Sequence, residues 1–220
     1  LYTSARKRLQ KADRVADKIV RKIAVLDADG QWATGMHTYV YRGGTRVSCV
    51  LTAGHALPSK RAARRTRLAL DYSSDLASVR WHSLAPDKLY WKAARADVAL
   101  CAVRDVIPHV PEPGFLCGTP PRLAAGDKVR ILQHPNASPL AYDAGKVVLA
   151  LSGRVFFHDV STLPGSSGAP ILDADWNLVG IHTGATDMET AAGGRTTVNE
   201  GCYLDELALA LLQRGYSLCS

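Results

Sequence analysis

Three side-chain types needed for nucleophilic hydrolysis stand in this chain at workable spacing. Ser167 lies in Thr162-Leu163-Pro164-Gly165-Ser166-Ser167-Gly168-Ala169-Pro170, a serine set between glycines just ahead of an apolar run. His55 lies in Leu51-Thr52-Ala53-Gly54-His55, and Asp97 in Ala96-Asp97-Val98-Ala99-Leu100. A serine hydroxyl is a weak nucleophile at neutral pH. It needs a base to take its proton, and that base needs its tautomer fixed. The residue types predict that Ser167 attacks, His55 accepts and returns the proton, and Asp97 orients His55. Gly165 lets the backbone turn so that the N–H groups of Gly165 and Ser167 point at one spot, an oxyanion hole. Taken singly, each residue has a plainer reading: a serine in a turn, a histidine at a strand end, a loop acid. Taken together, in the order His, Asp, Ser and separated by 42 and 70 residues, they predict a catalytic triad.

The elements that must position these residues are mostly short strands. Runs rich in Val, Ile, Tyr and Thr alternate with turn residues: Ile23–Leu26 before Asp29-Gly30, Met36–Tyr41 before Gly43-Gly44, then Arg46–Leu51. This is hairpin patterning. Leu68–Leu70, Val79–His82 and Val98–Val103 extend the first lobe, residues 22–105. Residues 106–121 contain five prolines and read as a linker, because proline offers no backbone N–H to a sheet. Strands resume in a second lobe, residues 122–202, at Lys128–Leu132, Lys146–Leu151, Arg154–Asp159, Ala169–Leu172, Leu178–His182 and about Thr196–Val198. Tyr203–Gln213 reads as a short apolar helix within a C-terminal segment, residues 203–220. The fold expected is all-β: two antiparallel six-stranded β-barrels with a helix at each end. The active site would lie between the lobes, the first supplying His55 and Asp97 and the second Ser167.

The chain has 220 residues and a hydrophobic content of 47%, enough to exclude disorder of the whole chain. No apolar run approaches the roughly 20 residues that cross a bilayer, and no apolar core follows the charged N-terminus, so no signal peptide is expected. The five cysteines, Cys49, Cys101, Cys117, Cys202 and Cys219, are scattered without a CxxC pair. They read as reduced structural thiols rather than metal ligands, and no metal or cofactor is expected. Asn136-Ala137-Ser138 is a formal glycosylation sequon without a secretion signal to give it meaning. The net charge of +7 is uneven: residues 1–22 hold eight basic residues against Asp13 and Asp17. Tyr2, Ala5, Leu9, Ala12, Ala16, Ile19 and Ile23 fall on one helical face there, which makes residues 1–21 a basic amphipathic helix. A second cluster comprises Lys60, Arg61, Arg64, Arg65 and Arg67. Two readings stand for the charge: a solvated face, or contact of residues 1–22 and 60–67 with RNA or an acidic membrane surface.

The motifs resemble those of chymotrypsin-like peptidases of the PA clan. Leu51-Thr52-Ala53-Gly54-His55-Ala56 resembles the catalytic-histidine motif, Ala96–Leu100 the aspartate strand, and Thr162–Pro170 the nucleophile loop. Gly180-Ile181-His182-Thr183-Gly184 resembles the strand along the S1 pocket. The likeness spans about residues 22–215. The GxSG spacing is not the GxSxG elbow of α/β-hydrolases, and βαβ alternation is absent. Digestive members carry a cysteine after the histidine and an aspartate before the nucleophile; here no cysteine follows His55 closely, and Ser166 precedes Ser167. The pattern TxxGxSG followed by GxHxG is similar to disulfide-free proteases of positive-strand RNA viruses (sobemovirus-like, polerovirus-like, arterivirus, 3C-like), and to V8-type glutamyl endopeptidases.

The resemblance implies that His182 and Thr162 line S1 and bind a Glu or Gln side chain. Ser161 occupies the position that is acidic in trypsin-like enzymes, so no carboxylate awaits Arg or Lys. An imidazole N–H and a hydroxyl suit a carboxylate or amide oxygen. The plainer reading of His182 is a satisfied core histidine; His158 would approach the same pocket or support His182. His37, His82, His109 and His134 carry no motif and read as structural or exposed. The activity expected is cleavage of a polyprotein substrate after Glu or Gln, in a host cytoplasm if the chain is viral. A bacterial glutamyl endopeptidase and an RNA-binding module on a protease scaffold are the alternatives. The oligomeric state is not legible.

Overall fold

The computed structural model describes residues 18–72, 74–105, 107, 121–151, 153–189 and 193–218. Strands dominate, as the double-barrel reading expects. In the first lobe β1 (Ile23–Ala28), β2 (Gln31–Arg42) and β3 (Thr45–Ala53) form consecutive hairpins. They continue through β4 (Thr66–Leu70), β5 (Trp81–Ser83), β6 (Tyr90–Lys92) and β7 (Val98–Ala102). The order β5-β4-β1-β2-β3-β7-β6 makes an open, antiparallel seven-stranded half-barrel rather than a closed six-stranded one. The extra strand is β6, three residues long and, among the described residues, pairing only with β7. The charged run 60–65 is a short helix, α1 (Lys60–Arg65), with Ser59 as its N-cap.

The second lobe is a closed barrel in the order β10-β13-β12-β11-β8-β9. Its members are β8 (Lys128–Gln133), β9 (Ala141–Ala150), β10 (Val155–His158), β11 (Pro170–Leu172), β12 (Leu178–Glu189) and β13 (Arg195–Tyr203). The C-terminal helix α2 is Asp205–Gln213, starting two residues after the expected Tyr203, which ends β13 instead. The expected N-terminal helix and the linker fall mainly on residues outside those described; Lys18–Val20 are helical.

Each lobe has its own apolar interior: Leu26, Tyr39, Val50 and Leu68 in the first, Val129, Ile131, Phe156 and Ile171 in the second. A third cluster joins the lobes, bringing Met36, Leu51 and Leu100 against Leu132, Leu172, Ile181 and Leu211. Burying apolar surface at roughly 25 cal/mol per Å² makes such a seam a strong constraint on how the lobes meet. Among the described residues no helix is long and apolar enough to cross a membrane.

Candidate active site

His55 and Asp97 are brought together by strand pairing. Ala53, the last residue of β3, lies opposite Val98, the first of β7. The residues just beyond these ends must therefore meet. His55 Nδ1 lies 2.5 Å from Asp97 Oδ2, and the His55 backbone N–H donates to Asp97 Oδ1 at 2.7 Å. One carboxylate thus holds both the ring and the main chain of the histidine. The hydrogen bond that the ring donates to Asp97 raises the His55 pKa above its ordinary value, against the lowering effect of partial burial. Burial pushes the Asp97 carboxyl up, but its hydrogen bonds from His55 outweigh this and hold it below the usual carboxylate range. Lys92, at the end of β6, bears on the pair. A Cβ placed on Gly54 would meet Asp97 Oδ1 at 2.9 Å and Lys92 Cε at 3.1 Å. Its charge lowers both pKa values. Nothing in the local sequence marked Lys92, because β6 is too short to show a pattern.

Ser167 sits in the loop from β10 to β11. The loop crosses to the first lobe, where the Thr34 N–H donates to the Ser167 carbonyl at 2.9 Å. Gly165 and Gly168 both have positive φ, +93° and +86°. Gly168 also has no room for a side chain: a Cβ there would strike Thr52 Oγ1 and the Thr34 carbonyl. Ser166 is fully buried and closes a local turn, its N–H donating to the Leu163 carbonyl at 3.0 Å and its hydroxyl accepting from Leu163 N–H at 3.2 Å. Among the described residues, the N–H groups of Gly165 and Ser167 meet no acceptor. The described hydrogen bonds join His55 to Asp97 but not to the Ser167 hydroxyl.

His182 reaches this loop through β12. Its carbonyl accepts from Gly168 N–H at 2.7 Å, and its N–H donates to the Ala169 carbonyl at 2.8 Å. The residue is 4% exposed, and its ring packs edge-on against His158, centroids 5.6 Å apart. Burial, reinforced by His158, lowers the His182 pKa to about 3; burial alone lowers His158 to about 4. Both rings are neutral at pH 7. His182 Nδ1 and both nitrogens of His158 are buried without a hydrogen-bond partner. The Thr162 hydroxyl donates to Asn199 Oδ1 at 2.6 Å, and Asn199 Nδ2 donates to the Val160 carbonyl at 2.7 Å. Asn199, opposite His158 in the barrel and bonded to Thr162, is a residue that sequence reasoning missed, since no motif surrounds it. Ser161 is exposed, its carbonyl accepting from Gln133 Nε2 at 3.0 Å.

The other described histidines, His37, His82 and His134, are buried. His109, Cys117 and Cys219 fall outside the described residues, while Cys49, Cys101 and Cys202 are buried free thiols. Among the described residues no group of three or more His, Cys, Asp or Glu side chains could hold a metal ion. In the 60–67 cluster, Arg64 pairs with Asp87, Arg65 with Asp29 and Arg67 with Asp27.

A family model described as a trypsin-like peptidase domain matches residues 33–181. Among solved structures, the fold is similar to Rv3671c from M. tuberculosis, a serine-to-alanine mutant in an inactive form. The TM-score is 0.65 at 15% identity, covering 97% of this chain and 95% of that one. A second structure, of the Rv3671c protease in an inactive form, gives a TM-score of 0.62 at 16% identity and covers 98% of each chain. A Glu endopeptidase in complex with MPD gives 0.59 at 15% identity, covering 89% of this chain and 90% of that one. At these identities the likeness shows the fold alone. No curated protein matches the chain.

Proposed function

Because the chain belongs to the trypsin-like peptidase family, we propose that it is a serine endopeptidase whose acyl-enzyme forms on Ser167. The observation that carries this reading is the carboxylate-held histidine, His55 Nδ1 to Asp97 Oδ2 at 2.5 Å. With Nδ1–H turned to Asp97, Nε2 is the basic nitrogen. His55 Nε2 takes the Ser167 proton as Oγ bonds to the scissile carbonyl carbon. The carbonyl oxygen becomes an oxyanion, received by the N–H groups of Gly165 and Ser167. His55 returns the proton to the leaving amine as the peptide bond breaks. Water then repeats the sequence to release the acid and restore Ser167.

The pocket reading is P1 Glu or Gln. His182 supplies an unpartnered ring nitrogen in a buried wall, and such a site rejects apolar side chains because its own polar groups would stay unpaired. Thr162 acts with Asn199, to which its hydroxyl is already committed. Ser161, in place of an acid, leaves the pocket without a charge for Arg or Lys. The biological role proposed is polyprotein processing by a positive-strand RNA virus, supported by the TxxGxSG and GxHxG motifs. The likeness to a solved Glu endopeptidase favours a second reading, a V8-like glutamyl endopeptidase. Both give the same chemistry. A peptide library varied at P1, offered to the wild type and Ser167→Ala, tests the proposal. Cleavage confined to Glu and Gln and lost in the mutant is expected. Cleavage after other residues would remove His182 from the pocket role, and cleavage by the mutant would remove Ser167 from the mechanism.

A further inference from the structure

Gly165 is the residue whose two flanking peptides set the direction of the proposed oxyanion-binding N–H, and glycine is the residue that least resists a peptide flip. Both flanking carbonyls are tied down. The Pro164 carbonyl accepts from Asn136 N–H at 2.5 Å. A trans peptide carries its N–H opposite its C=O, so this bond turns the Gly165 N–H away from the Asn136 turn. The Gly165 carbonyl accepts from the Thr34 hydroxyl at 2.8 Å, across 131 residues of sequence.

Thr34 belongs to β2 of the first lobe and is completely buried. Its hydroxyl also accepts from His134 N–H at 2.9 Å, so its single proton and an acceptor site are both used. Its N–H holds the Ser167 carbonyl, and its own carbonyl accepts from the Thr52 hydroxyl at 2.7 Å. The His134 main chain closes over Gly165 from the other side: a Cβ on Gly165 would lie 2.8 Å from the His134 carbonyl. The turn beyond it is held in an unusual shape, with Asn136 and Ala137 both left-handed at φ 50° and 52°. Non-glycine residues in that region persist only where surrounding contacts impose them. One hydroxyl therefore stands where the first lobe, the second lobe and the nucleophile loop meet.

We propose that Thr34 is a positioning residue for catalysis: its hydroxyl fixes the Gly165–Ser166 peptide, the unit between the two peptides that carry the Gly165 and Ser167 N–H groups, and so holds those N–H groups in register and couples lobe docking to activity. This rests on the serine-peptidase reading above. Thr34 touches neither substrate nor His55; it acts through Gly165. Losing one oxyanion donor costs about 10²–10³ in rate, so loosening the peptide that links the two donors should cost somewhat less.

The experiment compares wild type, Thr34→Val and Thr34→Ser by steady-state kinetics on the library's best substrate, by the rate of labelling of Ser167 with a fluorophosphonate, and by affinity for a cleaved product peptide. Circular dichroism and thermal midpoint report folding. The expected result is a kcat and labelling rate about 10–100-fold lower in Thr34→Val, with KM and product affinity within about twofold, and near-complete recovery in Thr34→Ser. If Thr34→Val does not fold, Thr34→Ala replaces it against the same serine control. A folded hydroxyl-free variant with wild-type kcat and labelling overturns the proposal. So does a loss in Thr34→Ser as large as in the hydroxyl-free variant, which would make volume the cause, or a rise in KM alone. A wild type that neither cleaves nor labels at Ser167 overturns the serine reading itself, and this proposal with it.

Discussion

His55 can serve as a base only while its ring is neutral, and two neighbours set that condition from opposite sides. Asp97 raises its pKa and Lys92 lowers it. On the proposed mechanism, the acid limb of kcat/KM follows this group in the free enzyme. Lys92→Met removes a charge that opposes protonation, so His55 holds its proton to higher pH and the limb moves upward. A pH–rate profile that does not move, or moves down, contradicts the placement of Lys92. Asp97→Asn is expected to fold and to lose about 10⁴ in kcat, because the ring would no longer be held in the useful tautomer. In the proposed pocket, His182→Leu should lower kcat/KM for Gln and Glu substrates by about 10–100-fold, the worth of a hydrogen bond to a polar or charged group. Cleavage after apolar P1 residues should gain in the same variant. An unchanged P1 preference would return His182 to a purely structural role.

At the scale of elements, the nucleophile loop is shaped by what lies under it. Gly168→Ala would press a methyl group against the Thr34 carbonyl and Thr52 Oγ1, at a backbone angle that side chains disfavour. Overpacking costs roughly 1–3 kcal/mol, with a similar amount for the backbone angle. A large drop in thermal midpoint is expected, and a midpoint equal to wild type would contradict the tight lobe contact. The hairpins of β1–β3 were legible because their turns, Asp29-Gly30 and Gly43-Gly44, interrupt clear strand runs. β6 and α1 were not, since three residues show no period and Lys60–Arg65 reads first as charge. β9 begins at Ala141, five residues before the expected Lys146, because Ala141–Gly145 lack the β-branched residues that signal a strand. The polar outer half of the β12–β13 hairpin was hidden for the same reason. The residues of the proposed triad were legible because their motifs are local. Thr34, Asn199 and Lys92 were not, because each matters only through partners remote in sequence or by way of a short strand.

Among the described residues, four buried histidines have pKa values lowered chiefly by burial: His37 and His182 to about 3, His134 and His158 to about 4. The unfolded chain takes protons at these positions below about pH 6.5, while the folded protein does not until far lower. Below that pH the unfolded state therefore binds more protons, and stability falls as pH drops from 6.5 towards 4. Asp97, with a depressed folded value, adds a loss of the same sign as pH falls through that value. His55 acts in the opposite sense: its stabilisation is full below the ordinary histidine value and is lost as pH rises through the raised one. Five groups against one predict a lower thermal midpoint at pH 4.5 than at pH 7, and an equal or higher midpoint at pH 4.5 would contradict the burial of these rings. Three arginines of the 60–67 cluster are already paired with aspartates, which leaves less of that charge for RNA or an acidic membrane surface. Binding of RNA by the chain with and without residues 1–22, measured against salt, tests the remaining basic segment. On the proposed mechanism, two lobes joined by an apolar seam hold Ser167 where it forms an acyl-enzyme. The most direct test is intact-protein mass spectrometry after brief exposure to an activated Gln or Glu ester. A mass increase of one acyl group, mapped to Ser167 and absent in Ser167→Ala, is expected. An acyl group on another residue, or turnover without any acyl-enzyme under conditions that slow deacylation, would contradict this mechanism.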